Sequence, residues 1–359
     1  MPKVIGGILL ISIYNVLTFY IGWGLKQWLV AMGWFRLPVL FWVVLYIIAF
    51  SIIIGRLHES LQFFSIISNY WMFVFEYGLL LCLAAQLIIW LTPFKNVQII
   101  GSIAIAVLFV LGVIGSYLAY SPVVRHLEIA MDKKDSELTS LRVVAASDFH
   151  LGVLSHKRHL QRFVDLTNEA NPDIVLLAGD IVDDDPKWFV HEGMADVIKQ
   201  LTSTYGTYGI LGNHEYYGKK IPDFIKEMEN ANVKILLDET IRIADAFILT
   251  GQEDKTNTDR KPLDDLKPSA NLPWLVMNHT PDDLVTPSKQ GVDFHVSGHT
   301  HKGQLWPNQY ITARVFELDY GYMLKEQMHT LVSSGYGFWG PPMRIGSRSE
   351  LWVVDIKFQ

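Results

Sequence analysis

Residues 142–152 read Arg-Val-Val-Ala-Ala-Ser-Asp-Phe-His-Leu-Gly, and the fold turns on how that stretch is parsed. Arg142–Ser147 is a short β-rich run, and Asp148 and His150 follow it two residues apart. In extended backbone, side chains two apart point the same way, so a strand ending here presents a carboxylate and an imidazole together. The event recurs downstream. Ile174–Ala178 runs into Gly179-Asp180, and Tyr208–Leu211 into Gly212-Asn213-His214-Glu215. Trp274–Met277 runs into Asn278-His279, and Phe294–Ser297 into Gly298-His299-Thr300-His301. Phe247–Thr250 is a further strand, and helical patterns at His156–Ala170 and Val190–Thr202 separate the earlier ones. Strands alternating with helices describe an α/β domain. Ligands of open α/β sheets bind beyond the carboxyl ends of the strands, so segments distant in sequence can converge on one site.

Carboxylate, imidazole and amide oxygen together suit divalent metals of intermediate hardness, such as Mn, Fe or Zn. Magnesium prefers oxygen ligands throughout. In this order and spacing the segments resemble the calcineurin-like metallophosphoesterase family, in its membrane-anchored branch, from about residue 142 to the C-terminus. The resemblance implies a β-sandwich of two sheets flanked by helices, and a role for each motif position. Asp148, His150 and His301 would bind a first metal, Asn213, His279 and His299 a second, and Asp180 would bridge the two. His214 would be catalytic, protonating the leaving group or steadying developing charge, and Glu215 would orient His214 or its loop. The implied reaction is hydrolysis of a phosphoester or pyrophosphate by a metal-bound hydroxide. Two cations about 3.5–4 Å apart clamp the attacking and leaving oxygens of such a displacement, and coordination lowers the pKa of water. No covalent protein intermediate is then needed.

The other polar residues read as support. Asp183, Asp184 and Asp185 form a solvated loop that caps the next helix. His156 and His159 sit early in a helix and read as surface residues. Asp254–Lys267 reads as a charged surface loop. Tyr216 and Tyr217 follow the Asn-His-Glu segment, and Tyr216 is a candidate pocket residue. Ser333-Ser334-Gly-Tyr-Gly and Pro342-Met-Arg344 look like the C-terminal signature of the membrane-linked branch. Arg344 either contacts a phosphate or braces that loop; an arginine suits bidentate phosphate binding.

The first 120 residues have another character. Half of the whole chain is hydrophobic, too much for an ordinary soluble enzyme. Four apolar stretches near 5–25, 38–55, 71–91 and 98–120 match the length needed to cross a hydrocarbon core of about 30 Å. Lys3, Lys26, Arg36, Arg56, Lys95, Glu59 and Glu76 are the only charged residues before 121, so this part carries +3 and the remainder −9. Trp28, Trp34, Trp71 and Trp90 lie near expected ends, as interfacial aromatics do. The bland alternative, a buried bundle in a soluble protein, does not suit so few charges. The N-terminal run is too long for a signal-peptide core and lacks a small-residue cleavage site, so no cleavable signal is expected. Glu76 is expected toward one end of its span, facing other helices. The expected organisation is a four-helix transmembrane region at 1–120, a connector at 121–141 with an edge strand at Val123–Ala130, and a catalytic domain at 142–359. Four crossings put both termini on one side. Lys3, Arg56, Arg125, Lys133 and Lys134 against Lys26, Arg36 and Lys95 place the catalytic domain in the cytoplasm. The single cysteine, Cys82, cannot form an internal disulfide.

The sequence thus points to a multi-pass membrane hydrolase with two divalent metal ions as cofactors and the bilayer as a partner. Its net charge of −6 argues against nucleic acid. The membrane-linked relatives it resembles include enzymes that cleave the pyrophosphate of a UDP-linked acylated sugar, so a lipid-linked phosphate is the favoured substrate. Soluble phosphodiesters or nucleotides are the enzymatic alternative, and a non-catalytic membrane scaffold is the alternative of another class. A transporter is disfavoured by so few helices.

Overall fold

The structure is a computed structural model that describes residues 2–359; the side chains of Pro2, Lys3, Val4 and Glu59 lie outside what it describes. The chain divides into two compact units, Met1–Ser116 with Gly340–Met343, and Tyr117–Trp339 with Arg344–Gln359.

The first unit is helical: α1 (Pro2–Ala31), α2 (Pro38–Ala49), α3 (Ser51–Gly55), α4 (Phe63–Leu91) and α5 (Val97–Tyr120), whose last turn groups with the second unit. Among the described residues three helices are long and apolar enough to cross a membrane: Ile5–Ala31 within α1, α4 and α5. The second apolar run departs from the expected span. It breaks at Phe50 into twelve- and five-residue helices, and twelve residues at 1.5 Å each give only about 18 Å. Helix α4 begins at Phe63, well before the expected start, which moves half-buried Glu76 from an end to the middle of the helix. Polar side chains inside the unit share partners. The Trp71 indole donates to the Tyr14 hydroxyl at 2.8 Å, and Tyr14 donates to the Ala49 carbonyl at 2.6 Å.

The second unit is a sandwich of two six-stranded sheets. Its strands are β1 (Val123–Met131), β2 (Ser140–Ala146), β3 (Ile174–Ala178), β4 (Thr207–Ile210), β5 (Val233–Ile235), β6 (Glu239–Ile243), β7 (Phe247–Gln252), β8 (Trp274–Asn278), β9 (Phe294–Ser297), β10 (Gly321–Lys325), β11 (Met328–Val332) and β12 (Glu350–Phe358). One sheet runs β1-β12-β2-β3-β4-β5 and the other β10-β11-β9-β8-β7-β6. β2, β3 and β4 are parallel neighbours, as are β8 and β9, so their carboxyl ends lie on one edge of the sandwich.

Alternation along each strand makes the layers. Val143, Ala145, Leu176 and Ala178 face inward and meet Leu249, Leu275, Met277 and Val296 of the other sheet. Val144, Ala146, Val175 and Leu177 face outward and are covered by Leu160, Phe163 and Val164 of α6 (Lys157–Glu169) with Phe224 and Met228. His159 on α6 is buried, not at the surface, and its Nε2 lies 3.1 Å from the Tyr336 carbonyl. The expected helix Val190–Thr202 forms two short pieces, Lys187–His191 and Ala195–Ile198, separated at Gly193. Asp254 also departs from its surface reading: it is buried, and its carboxylate accepts from Thr256 and Thr280.

Candidate metal centre

Three of the five motifs leave their strands in a sharp turn. Asp148, His150, Asp180, His299 and His301 all have φ between 44° and 69°, the left-handed region that costs a side-chain-bearing residue energy and clusters at functional sites. The turns are pinned to one another. Asp148 N donates to the Gly179 carbonyl and His150 N to the Asp180 carbonyl, each at 3.0 Å. His299 N donates to both Asp148 oxygens at 2.9 and 3.0 Å, and His214 N donates to Asp180 Oδ1 at 2.9 Å. Gly179 is required twice over: its φ is +85°, and a Cβ there would meet His279 Nδ1 at 2.6 Å and Gly212 N at 2.9 Å.

The strand ends bring the expected residues together. Asp148, His150 and His301 group with ligand atoms within 4.8 Å of one another, and Asp180, His279 and His299 form a second such group. In the first, His150 Nε2 and His301 Nε2 face each other at 3.0 Å, with Asp148 Oδ1 at 3.4 Å from the latter. In the second, His279 Nε2 is 3.1 Å from Asp180 Oδ2, and Asn213 Oδ1 is 2.8 Å from His299 Nδ1. Asp180 Oδ2 is also 3.7 Å from His150 Nε2, so one carboxylate touches both groups. The fit to cations rests on buried atoms. His279 Nδ1 lies 2.8 Å from the Ala178 carbonyl, and when it donates there it leaves Nε2 as a free lone pair. His279 Nε2 is buried and faces the Asp180 carboxylate at 3.1 Å, with no hydrogen-bond partner besides it. Two imidazole nitrogens face to face beside carboxylates call for positive charge between them.

Charge couples the site. Burial opposes ionisation of Asp180, but His279, His150 and His214 outweigh it and hold its carboxyl well below the usual range. Burial likewise opposes charging of His279, against which Asp180, Asp148 and Asp254 raise it well above the usual imidazole value. Burial and the Asp180 carboxylate raise Glu215. Glu215 accepts from the backbone N–H groups of Gly212, Val182 and Asp180 at 2.7, 3.0 and 3.2 Å, so it ties the loops together and does not touch His214 through a hydrogen bond.

The partner of His214 is Asp184, whose Oδ1 is 2.7 Å from Nδ1, with Asp183 Oδ1 at 3.5 Å. Burial lowers the imidazole, but the Asp184 hydrogen bond and the Asp180 and Asp183 carboxylates raise it to about 9. The aspartate run is therefore only partly a solvated cap: Asp185 does receive Lys187 N at 3.0 Å, while Asp183 and Asp184 turn toward the site, and Asp183 forms a further group with His150 and His214. Three aspartates shortly after Gly179-Asp180 carried that signal. Trp339 was not foreseen either; its ring lies 6.3 Å from His214, and Tyr217 flanks the same ring at 5.5 Å.

The two candidate substrate residues are already engaged. The Tyr216 hydroxyl donates to Glu253 Oε1 at 2.6 Å. Arg344 has no exposed surface. Its guanidinium donates to the carbonyls of Ser334, Gly335 and Gly337 at 2.6–3.2 Å and to Ser347 Oγ at 3.2 Å, and one terminal nitrogen lies 3.3 Å from His301 Nδ1. Burial pulls its pKa down to about 10.

The sandwich and its strand-end donor groups define a metal-dependent phosphoesterase domain. The chain belongs to the calcineurin-like phosphoesterase family: the family model matches residues 141–303, and an uncharacterized metallophosphoesterase of Aquifex aeolicus is 30% identical over 61% of this chain and 86% of its own length. An uncharacterized metallophosphoesterase of Campylobacter jejuni is 32% identical over 64% of this chain. A transmembrane protein with metallophosphoesterase domain from Danio rerio is 31% identical over 72%. The match spans 62% of each of these last two relatives.

Proposed function

We propose that this chain is a membrane-anchored phosphohydrolase with a dinuclear metal site. Asp148, His150 and His301 would hold one ion, Asn213, His279 and His299 the other, with Asp180 shared between the two groups. The observation that carries the reading is the position of Asp180 Oδ2, 3.1 Å from His279 Nε2 in one group and 3.7 Å from His150 Nε2 in the other. Bound there, divalent cations supply Lewis-acid polarisation of a phosphoryl oxygen and a water of lowered pKa. The chain's residues do the rest. His214, turned by Asp184, presents its other ring nitrogen to the leaving oxygen and gives it a proton or a hydrogen bond. Arg344 positions the 334–337 loop and His301; its buried, saturated guanidinium suits bracing and not phosphate binding. The mixed nitrogen and oxygen donors favour Mn, Fe or Zn.

A lipid-linked phosphate or pyrophosphate is the favoured substrate, because an enzyme fixed in a bilayer meets such molecules in two dimensions. With α1, α4 and α5 as the crossings, Lys26, Arg36, Arg56, Arg125, Lys133 and Lys134 share one side and Lys3 and Lys95 the other. That count favours a cytoplasmic catalytic unit, as the four-crossing count did.

The test is metal analysis of detergent-purified protein together with hydrolysis of an aryl phosphodiester after Mn loading. Two ions per chain and turnover are expected. Two ions bound with no turnover under any of the three metals would leave a scaffold, and one ion per chain would end the bridging assignment. Protease access in sealed cells checks the sidedness.

A further inference from the structure

The second unit exposes apolar side chains beside its metal centre. The helix Gln309–Val315 has no buried residue. Tyr310, Ile311 and Val315 are 67%, 61% and 66% exposed, and Trp306 just before them is 49% exposed. Clustered exposure of this kind marks an interaction surface. The segment is nonetheless held firmly: Trp306 N donates to the Ile345 carbonyl, as does Gln309 Nε2, each at 2.8 Å, and Thr312 Oγ1 donates to Asp319 Oδ2 at 2.7 Å. Its apolar side is therefore fixed outward. Arg314 is exposed and makes no ion pair among the described residues, while nearby Glu317 is paired with Lys325. Phe316 closes the segment with its ring 6.1 Å from that of His299.

We propose that Trp306–Val315 is an interfacial membrane contact, with Trp306, Tyr310, Ile311 and Val315 in the headgroup–acyl boundary and Arg314 on a lipid phosphate. Tryptophan, tyrosine and arginine beside branched apolar residues are the composition of that boundary. Lipid is the occupant because the chain brings its own bilayer: only Ser121 and Pro122 separate the candidate span α5 from β1. A contact at this place puts the rim of the metal centre, through Phe316 and His299, next to headgroup phosphates. The inference rests on the membrane anchoring proposed above.

The test uses the full chain with Cys82→Ser and Ile311→Cys, labelled with an environment-sensitive fluorophore and reconstituted in phosphatidylcholine–phosphatidylglycerol vesicles. A control carries Ser269→Cys, at an exposed polar loop position. The label at 311 should emit to the blue of the control and be quenched several-fold more by a nitroxide on the lipid chains. Equal quenching of both labels by aqueous iodide, with no effect of the lipid nitroxide, overturns the proposal. So does a blue shift that appears only on adding a lipid-linked phosphate, which would assign the surface to a substrate chain. A shift that follows the protein-to-lipid ratio would assign it to a second copy and overturn it equally. Protein that fails to float with vesicles refutes the anchoring itself, whereas floating protein with a water-exposed label refutes only this contact. The variant Val315→Cys, labelled alone, repeats the reading if Ile311→Cys does not fold.

Discussion

In the helical unit apolar side chains face outward, and in the sandwich charged ones face inward. Ile8, Phe109 and Trp90 are 61–78% exposed, whereas Asp148, Arg344 and Glu350 have no exposed surface at all. The difference shows what each part is built against. Helices satisfy their own backbone and need few polar contacts to sit in hydrocarbon. The sandwich has water outside, so it can enclose carboxylates and imidazoles at a cost that only mutual pairing and bound cations offset. On the proposed membrane anchoring, the same chain meets two solvents with opposite surface rules, and substitutions should have opposite logic in the two units.

The largest expected effect tests whether the enclosed charge serves chemistry. Asp180→Ala should cut turnover by about 10³-fold or more, about 4 kcal/mol of activation free energy, in phosphate release from an aryl phosphodiester. Retained activity would make the buried charges architectural only. Arg344→Ala comes next, because it strands several buried carbonyls and removes support from His301. A loss of about 3 kcal/mol is expected, read as a lower melting temperature in detergent, with Arg344→Lys recovering only part of it. A smaller effect should follow pH. Burial holds His159 and His295 at about 4, against the ordinary 6.5, with a Tyr336 carbonyl partly offsetting it for His159. As pH falls the unfolded chain takes these protons first. The stability both contribute is complete above about pH 6.5 and is lost progressively toward pH 4, up to about 3 kcal/mol for each. His295→Gln should flatten that slope in denaturation curves measured across the window, and an unchanged slope would exclude His295 as a source. The smallest effect belongs to the helical unit. A side chain at Gly22 would meet Leu45 and, at 2.6 Å, Trp42, so Gly22→Val should cost about 1–3 kcal/mol through overpacking. A neutral result in a detergent unfolding titration would show that α1 and α2 pack loosely, which would sharpen the contrast with the sandwich.

Much of the sandwich was legible in the sequence because its signals are local. Alternation and chain punctuation located β2, β3, β4, β7, β8 and β9 to within one or two residues, and β1 forms where an edge strand was read at Val123–Ala130. The convergence of Asp148, His150, Asp180, Asn213, His279, His299 and His301 followed from motifs placed at strand ends. What escaped depends on contacts across the chain. Asp184 reaches His214 only because its own φ of 59° turns it inward. Arg344 is spent on carbonyls supplied by a loop that its sequence neighbourhood does not announce. His159 looks polar on its helix, yet it packs under Tyr336. The break at Phe50 falls in an apolar run whose only polar residue there is Ser51, too slight a signal to read as a stop.

β12 lies between β1 and β2, parallel to one and antiparallel to the other, and it is β1's sole strand neighbour. In sequence it comes after every other strand of its sheet. Long after the helices and β1 have been made, β1 has nothing to pair with and β2 keeps an open edge, the exposed kind that invites wrong partners. The sheet is therefore closed by a strand made long after β1, and losing Glu350–Phe358 would leave β1, the strand nearest the helices in sequence, without its partner in the sandwich.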